Sequence, residues 1–323
     1  MKPHIYIVLL ALTLTSCFER NREPRNNVFR PEFDISMNNR NIVCSFYEND
    51  IASIYQIDRT DNRKTRLSPT TKYSLIKPVY SPNNKQIACL AESLTDDIKS
   101  KICLIDINSK KIRDLTSDSL LILECIFNPD GQSIYFTASK HFGNYSPLAR
   151  KAPHDIDIYR IDIATRKIKK ITEFNSYDLH GISITTTGDS MLFRLKANDK
   201  NGLFLMSINT RNLIQISSSH DIRSDEKASP YEYYKPVLSR DNSKIAFSEP
   251  YELYILDRET RISKLIFRNE KFPVNIGEAR FFNSYNYLMV TLPTDSKMQK
   301  STGENYGFYT LNPETNELRT LEL

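Results

Sequence analysis

Short runs of alternating apolar and polar residues recur along the chain, and the runs fall into repeating groups. One recurring pattern is a turn-forming cluster followed by an alternating strand. It reads Asn38-Asn39-Arg40-Asn41-Ile42, Ser81-Pro82-Asn83-Asn84-Lys85-Gln86-Ile87 and Asn128-Pro129-Asp130-Gly131-Gln132-Ser133-Ile134. It returns as Thr187-Gly188-Asp189-Ser190-Met191, as Arg240-Asp241-Asn242-Ser243-Lys244-Ile245, and weakly as Asn283-Ser284-Tyr285-Asn286-Tyr287. The strands start at 42, 87, 134, 191, 245 and 287, spacings of 45, 47, 57, 54 and 42 residues. A second pattern is a strand ending on an acidic or polar residue: Asp58, Asp106, Asp162, Ser207, Asp257 and Asn312. Nine residues after each stands an apolar residue: Leu67, Leu115, Ile171, Ile216, Ile266 and Leu321. A constant offset in six copies describes a tight turn joining strands of fixed length. Units of 42–57 residues, each with about four short strands, predict an all-β chain folded as a six-bladed β-propeller. The blades are expected near 31–76, 77–121, 122–179, 180–235, 236–276 and 277–323.

The pattern S-P-(D/N)-(G/N)-K-x-I-x-F, followed by I-Y-x-I-D and then L-T, resembles the TolB-type WD40-like (PD40) repeat. The resemblance covers residues 33–323 and implies a TolB-like six-bladed propeller. It departs from TolB in one respect, because TolB carries an extra N-terminal α/β domain. Here only a polar stretch, residues 18–30, precedes the first repeat, so the role of TolB is not carried across.

Composition agrees with a strand-rich globular domain: 18 Tyr and 16 Phe, no Trp, and 8 Gly. The formal charge of +5 is small for 323 residues, and basic and acidic residues are interleaved. Nucleic-acid binding needs a clustered basic stripe, and none is present in the sequence.

The first seventeen residues, MKPHIYIVLLALTLTSC, place Lys2 before an apolar run from Ile5 to Leu14. That run suits the core of a signal peptide and is too short to span a bilayer. Read alone, it also fits an ordinary secretory signal or a buried N-terminal strand. Leu14-Thr15-Ser16-Cys17 resembles the bacterial lipobox. The resemblance implies cleavage after Ser16, a lipid on Cys17, and a tether over residues 17–30. Phe18, not an acidic residue, follows Cys17, which points to the outer membrane facing the periplasm.

Four further cysteines remain. Cys44 and Cys89 align with Phe136, Phe193, Phe247 and Met289, which marks an inward-facing core position. Cys103 lies in the strand adjoining Cys89, so an oxidised pair is permitted in an exported protein. No CxxC spacing supports a metal, and no cofactor motif occurs. The nearest approach to a nucleophile elbow, Gly181-Ile182-Ser183-Ile184-Thr185, lacks the second glycine. His141, His154, His180 and His220 fall in separate loops at no recurring position and read as solvated residues. The densest ligand-like cluster, His154-Asp155-Ile156-Asp157, reads as an exposed strand start.

Strand parity adds a face. The first and third connections of each repeat are short, and nearly all the length variation falls on the opposite side. Insertions gathered on one face of a rigid scaffold are the place to expect binding. The candidate ligand-binding residues there are His141, Tyr145, Arg150, His154, Tyr231, Tyr233 and Tyr234. The alternative is that the tyrosines simply pack over the blades. The function expected is a non-catalytic, envelope-anchored binding or scaffold lipoprotein that engages a protein, peptide or glycan. The alternative is a propeller lyase or hydrolase acting on glycans at the channel mouth.

Overall fold

Two turn types repeat in every unit, and each has a local cause. In the first, the N–H of Ser36, Ser81, Asn128, Thr185, Ser239 and Phe282 donates to the carbonyl five residues on, at 2.8–3.0 Å. The turn needs one left-handed residue, supplied by Asn39, Asn84, Gly131, Gly188 and Asn242 with φ between 55° and 73°. Asn and Gly tolerate that conformation best. In the second turn, the N–H of Asp58, Asp106, Asp162, Ser207, Asp257 and Asn312 donates to the carbonyl five residues on, at 2.9–3.1 Å. Oδ1 of Asp58, Asp106, Asp162 and Asp257 also accepts a main-chain N–H from Thr60, Ser109, Thr165 and Thr260. The acidic residue ending these strands is thus an Asx-type turn former.

A computed structural model describes residues 27–93, 99–144, 151–197, 200–216, 232–269, 276–283, 287–294 and 305–321. The lipobox and Cys17 lie outside these residues. Among the described residues the chain forms six four-stranded antiparallel sheets and one two-stranded hairpin. Each sheet uses four strands consecutive in the chain, save that the hairpin is inserted between the second and third strands of the third sheet, and the sheets are the blades of a propeller. The innermost strands are Val28–Ile35, Tyr73–Tyr80, Leu121–Phe127, Asp178–Ile184, Tyr234–Leu238 and Ala279–Phe281. Each runs towards its own first turn, so the first and second turns share one face. The hairpin His141–Asn144/Lys151–His154 lies on the opposite face.

The core lies between neighbouring sheets. Between blades two and three, Ile76, Ala88, Leu90, Ile102 and Leu104 meet Ile122, Phe127, Ile134 and Phe136, all buried. Each large side chain of this kind contributes about 1.5–3 kcal/mol on burial. Cys44, Cys89, Phe136, Phe193 and Phe247 occupy one equivalent position, opposite Tyr55, Cys103, Tyr159, Phe204 and Tyr254. In blade six the equivalent residue is Val290, opposite Tyr309, not Met289. The first turn of that blade spans Phe282 to Tyr287, so Tyr287 belongs to the turn and the strand starts at Leu288. Cys44, Cys89, Cys103 and Cys125 are free and buried. Cys103 Sγ lies 3.2 Å from Asp114 Oδ1.

The strand Val28–Ile35 pairs within blade one, and blade six is built from its own four strands. Among the described residues no strand therefore crosses the seam between them. Phe308 of blade six packs edge-on against Phe29 and Phe33, each with centroids 5.5 Å away. Thr291 Oγ1 donates to the Pro31 carbonyl at 2.9 Å, and Asn283 N–H donates to Asn39 Oδ1 at 2.8 Å.

Candidate functional site: an axial cavity with a ring of charge

Four residues before the donor of each first turn stand Glu32, Lys77, Glu124, Gly181, Lys235 and Glu278. Five of the six are charged. In five blades the inner strand slips register at or beside this position, a β-bulge that re-aims a side chain. Lys77, Gly181 and Lys235 take left-handed φ of 50°, 68° and 50°. All six residues line one axial cavity of about 690 Å³. The lining runs from the first turns of all six blades (Met37, Pro82, Pro129, Thr186, Arg240, Asn283) down past this ring to His180 and Asp178. The cavity thus reaches the short-turn face.

Ring side chains fasten blade two to three, three to four and five to six. Lys77 Nζ donates to the Leu123 carbonyl at 2.7 Å, and Lys235 Nζ to the Gly277 carbonyl at 2.7 Å. Glu124 accepts the N–H of Gly181 at 3.1 Å and of Ile182 at 3.3 Å. Lys235 also lies 3.3 Å from Glu278, which pairs with Arg280 at 3.1 Å. Arg30 holds Glu32 with two bonds, at 2.9 and 3.1 Å.

These contacts set the charge states. Burial pushes Glu32 upward, but the hydrogen bonds and charge of Arg30 outweigh it and hold the carboxyl at about 2. Burial wins at Glu124 and lifts its carboxyl above the ordinary range, against the pull of His180 and Lys77. Burial likewise raises Asp34, two residues further along the same strand towards the mouth.

Beside Glu124 stands a His–Asp pair that the sequence reading assigned to solvent. His180 lies on an inner strand, with Nδ1 2.9 Å from Asp178 Oδ1. Its ring stacks on Tyr234, with centroids 6.1 Å apart and planes 13° apart. Its Nε2 is buried and has no hydrogen-bond partner.

The described members of the expected ligand-binding set fall in three places. His141 and His154 pair across the long-loop hairpin with rings stacked at 5.4 Å, and His154 Nδ1 lies 3.1 Å from Asp155. Tyr234 lines the cavity and is 40% exposed. Tyr233 is corrected: it is 2% exposed, its ring packs on Phe247 at 4.8 Å, and it belongs to the blade wall. Tyr145, Arg150 and Tyr231 lie outside the described residues. The charged ring escaped the sequence reading, although IKPVYS at 76–81 and YKPVLS at 234–239 carry its signal. Among the described residues no three His, Cys, Asp or Glu side chains are grouped to hold a metal ion.

No family model matches the sequence, and no curated protein matches it. Solved structures do share its fold. TolB from Acinetobacter baumannii superposes with a TM-score of 0.62 at 17% identity, over 92% of this chain and 64% of that one. This chain therefore spans less than two thirds of that protein. An oligogalacturonate lyase in complex with manganese gives 0.57 at 11% identity, over 92% and 77%. A gluconolactonase from Xanthomonas campestris gives 0.59 at 10% identity, over 93% and 88%. At such identities the likeness is one of fold, and the chain is a six-bladed β-propeller of TolB-like architecture.

Proposed function

We propose that this chain is a non-catalytic binding propeller of the bacterial cell envelope, anchored by a lipid on Cys17 at the outer membrane and facing the periplasm. Its ligand is a segment of a protein, a peptide or a glycan, held in the axial cavity. One observation carries the reading: polar side chains from all six blades converge on a cavity of about 690 Å³. That volume falls within the range typical of ligand sites. The long-loop face, with His141 and His154, offers a further contact surface. The test uses the full-length protein in envelope extracts, beside a Val237→Trp variant that fills the cavity from blade five. Capture of a defined envelope component that Val237→Trp loses at unchanged Tm supports the reading; equal capture by both overturns it. The anchor is tested separately: Cys17→Ala should release the protein from the membrane fraction.

A second reading is a glycan lyase or hydrolase, favoured by the His180–Asp178 pair. A carboxylate on Nδ1 leaves the other ring nitrogen as a base, an arrangement used in acid–base catalysis. The oligogalacturonate lyase and gluconolactonase of similar fold make glycan-derived substrates the first to assay. Turnover lost in His180→Phe would establish this reading.

A further inference from the structure

We propose that the cavity floor beside blades three, four and five is a seat for a primary ammonium group, with His180 Nε2, the Glu124 carboxylate and the Tyr234 ring as its acceptors. This rests on the reading that the cavity binds a ligand.

The first argument is the orphaned nitrogen. His180 Nε2 is buried and unpartnered, and desolvating such an atom costs free energy unless a bond is made to it. Asp178, 2.9 Å from Nδ1, favours the tautomer with the proton on Nδ1. Nε2 is then a lone-pair acceptor and calls for an N–H or O–H donor. The second argument is the neighbouring carboxylate. Glu124 bonds the two main-chain N–H groups of Gly181 and Ile182, directly after His180. Among the described residues no side-chain cation is hydrogen-bonded to it. The third is the aromatic face. Tyr234 stacks on His180 and remains 40% exposed, and a phenol ring attracts a desolvated cation.

The cations of the ring are differently placed. Lys77 is bound to the Leu123 carbonyl, Lys235 to the Gly277 carbonyl and Glu278, and Arg280 to Glu278 and the Ala279 carbonyl. A ligand anion would have to break these bonds between and within blades. At Glu124 a ligand ammonium has no described side-chain cation to displace. Burial already holds the Glu124 carboxyl above its ordinary range, and a bound cation would relieve that cost.

An ammonium of this kind can come from a lysine side chain or an amino sugar. The test is calorimetric titration of the full chain at pH 8 with acetyl-Gly-Lys-Gly-amide and with glucosamine. The controls are the norleucine peptide and glucose. At least one ammonium probe should bind, about tenfold or more tighter than its neutral counterpart. Whichever binds identifies the source. His180→Phe, which keeps a stacked ring but removes Nε2, should weaken binding about tenfold, and Glu124→Gln should act in the same direction. Circular dichroism establishes that each variant is folded, and His180→Leu serves if the phenylalanine does not fold. Equal binding of neutral and ammonium probes, no binding of either up to about 10 mM, or an unaffected His180 variant overturns the proposal. Val237→Trp separates the two readings. Ammonium binding that survives Val237→Trp refutes the cavity itself. Binding lost in Val237→Trp but kept in His180→Phe refutes only the ammonium seat.

Discussion

The carboxylate of Glu124 in blade three grips the main chain of Gly181 in blade four, with Oε2 3.1 Å from the glycine nitrogen. Gly181 takes a φ of +68°, and a Cβ there would stand 2.3 Å from Pro236 Cδ of blade five. Three blades thus meet at one residue without a side chain. Gly181→Ala should cost about 2–4 kcal/mol, from left-handed strain plus a clash with a ring that cannot swing aside. Urea denaturation measures this. A loss under about 0.5 kcal/mol would show that the inner strands can separate at no cost.

The seam between blades six and one makes a second prediction. Phe308 is fully buried and touches both Phe29 and Phe33 across a junction that no strand among the described residues bridges. Phe308→Ala should cost about 3–5 kcal/mol. Hydrogen exchange should rise first in the strands Val28–Ile35 and Tyr306–Leu311, because opening begins where closure is non-covalent and unzipped. Uniform exchange across all blades would argue against a weak seam.

Adjacent tyrosines should behave in opposite ways. Tyr233→Ala removes a ring packed on Phe247 and should lower Tm by several degrees. Tyr234→Ala removes a half-open ring over His180 and should leave Tm within about a degree while weakening ligand capture. Differential scanning fluorimetry with a binding assay on both variants decides the point.

Acid should act through Glu32. Its folded-state pKa is depressed from 4.5 to about 2, so its stabilisation is fully present above 4.5 and is lost as pH falls towards 2. A shift of that size corresponds to about 3 kcal/mol. Wild type should exceed Glu32→Gln in stability by about that amount at pH 6, with the gap closing between pH 4.5 and 2. Glu124 and Asp34 have raised values and act with the opposite sign: the cost of their charge is relieved as pH falls. A gap between wild type and Glu32→Gln that does not change with pH would place the role of Arg30 elsewhere.

The buried thiols should be silent. Burial pushes Cys103 up to about 12, helped by Asp114, and Cys125 up to about 12. A thiol with so little thiolate reacts slowly with disulfide reagents. At pH 8 the native chain should leave Cys44, Cys89, Cys103 and Cys125 unmodified, and all four should react in denaturant. Reaction of Cys89 or Cys103 in the folded state would reveal opening between blades one and two.

Much of the architecture was legible because turns write themselves into short windows. The left-handed Asn and Gly of the first turn, and the Asp that closes the second, repeat with fixed hydrogen-bond spans. The sixth copy slipped by one residue, from Val290 to Met289, because its turn opens on Phe282 where the other five open on Ser, Asn or Thr. The cavity was harder to read for a physical reason. At the bulges the two-residue alternation of the inner strands breaks, so parity cannot say which side chain faces the axis. Glu32, Lys77, Glu124, Lys235 and Glu278 align only when counted backwards from the turns. His180 looked like a loop residue because a bulge breaks its strand directly after it and its ring partner Tyr234 comes from the next blade.

The chain enters the propeller through the innermost strand of blade one, and Val28 lies at the end remote from the first turns. In the proposed lipidated form, about ten residues separate Cys17 from that strand, a reach of at most about 35 Å. Such a leash attaches close to the symmetry axis of the disc, not to its rim. The disc would then lie with its long-loop face towards the bilayer and its cavity opening away from it. Rotation about the membrane normal would leave that opening in place, presented like a cup to whatever crosses the periplasm.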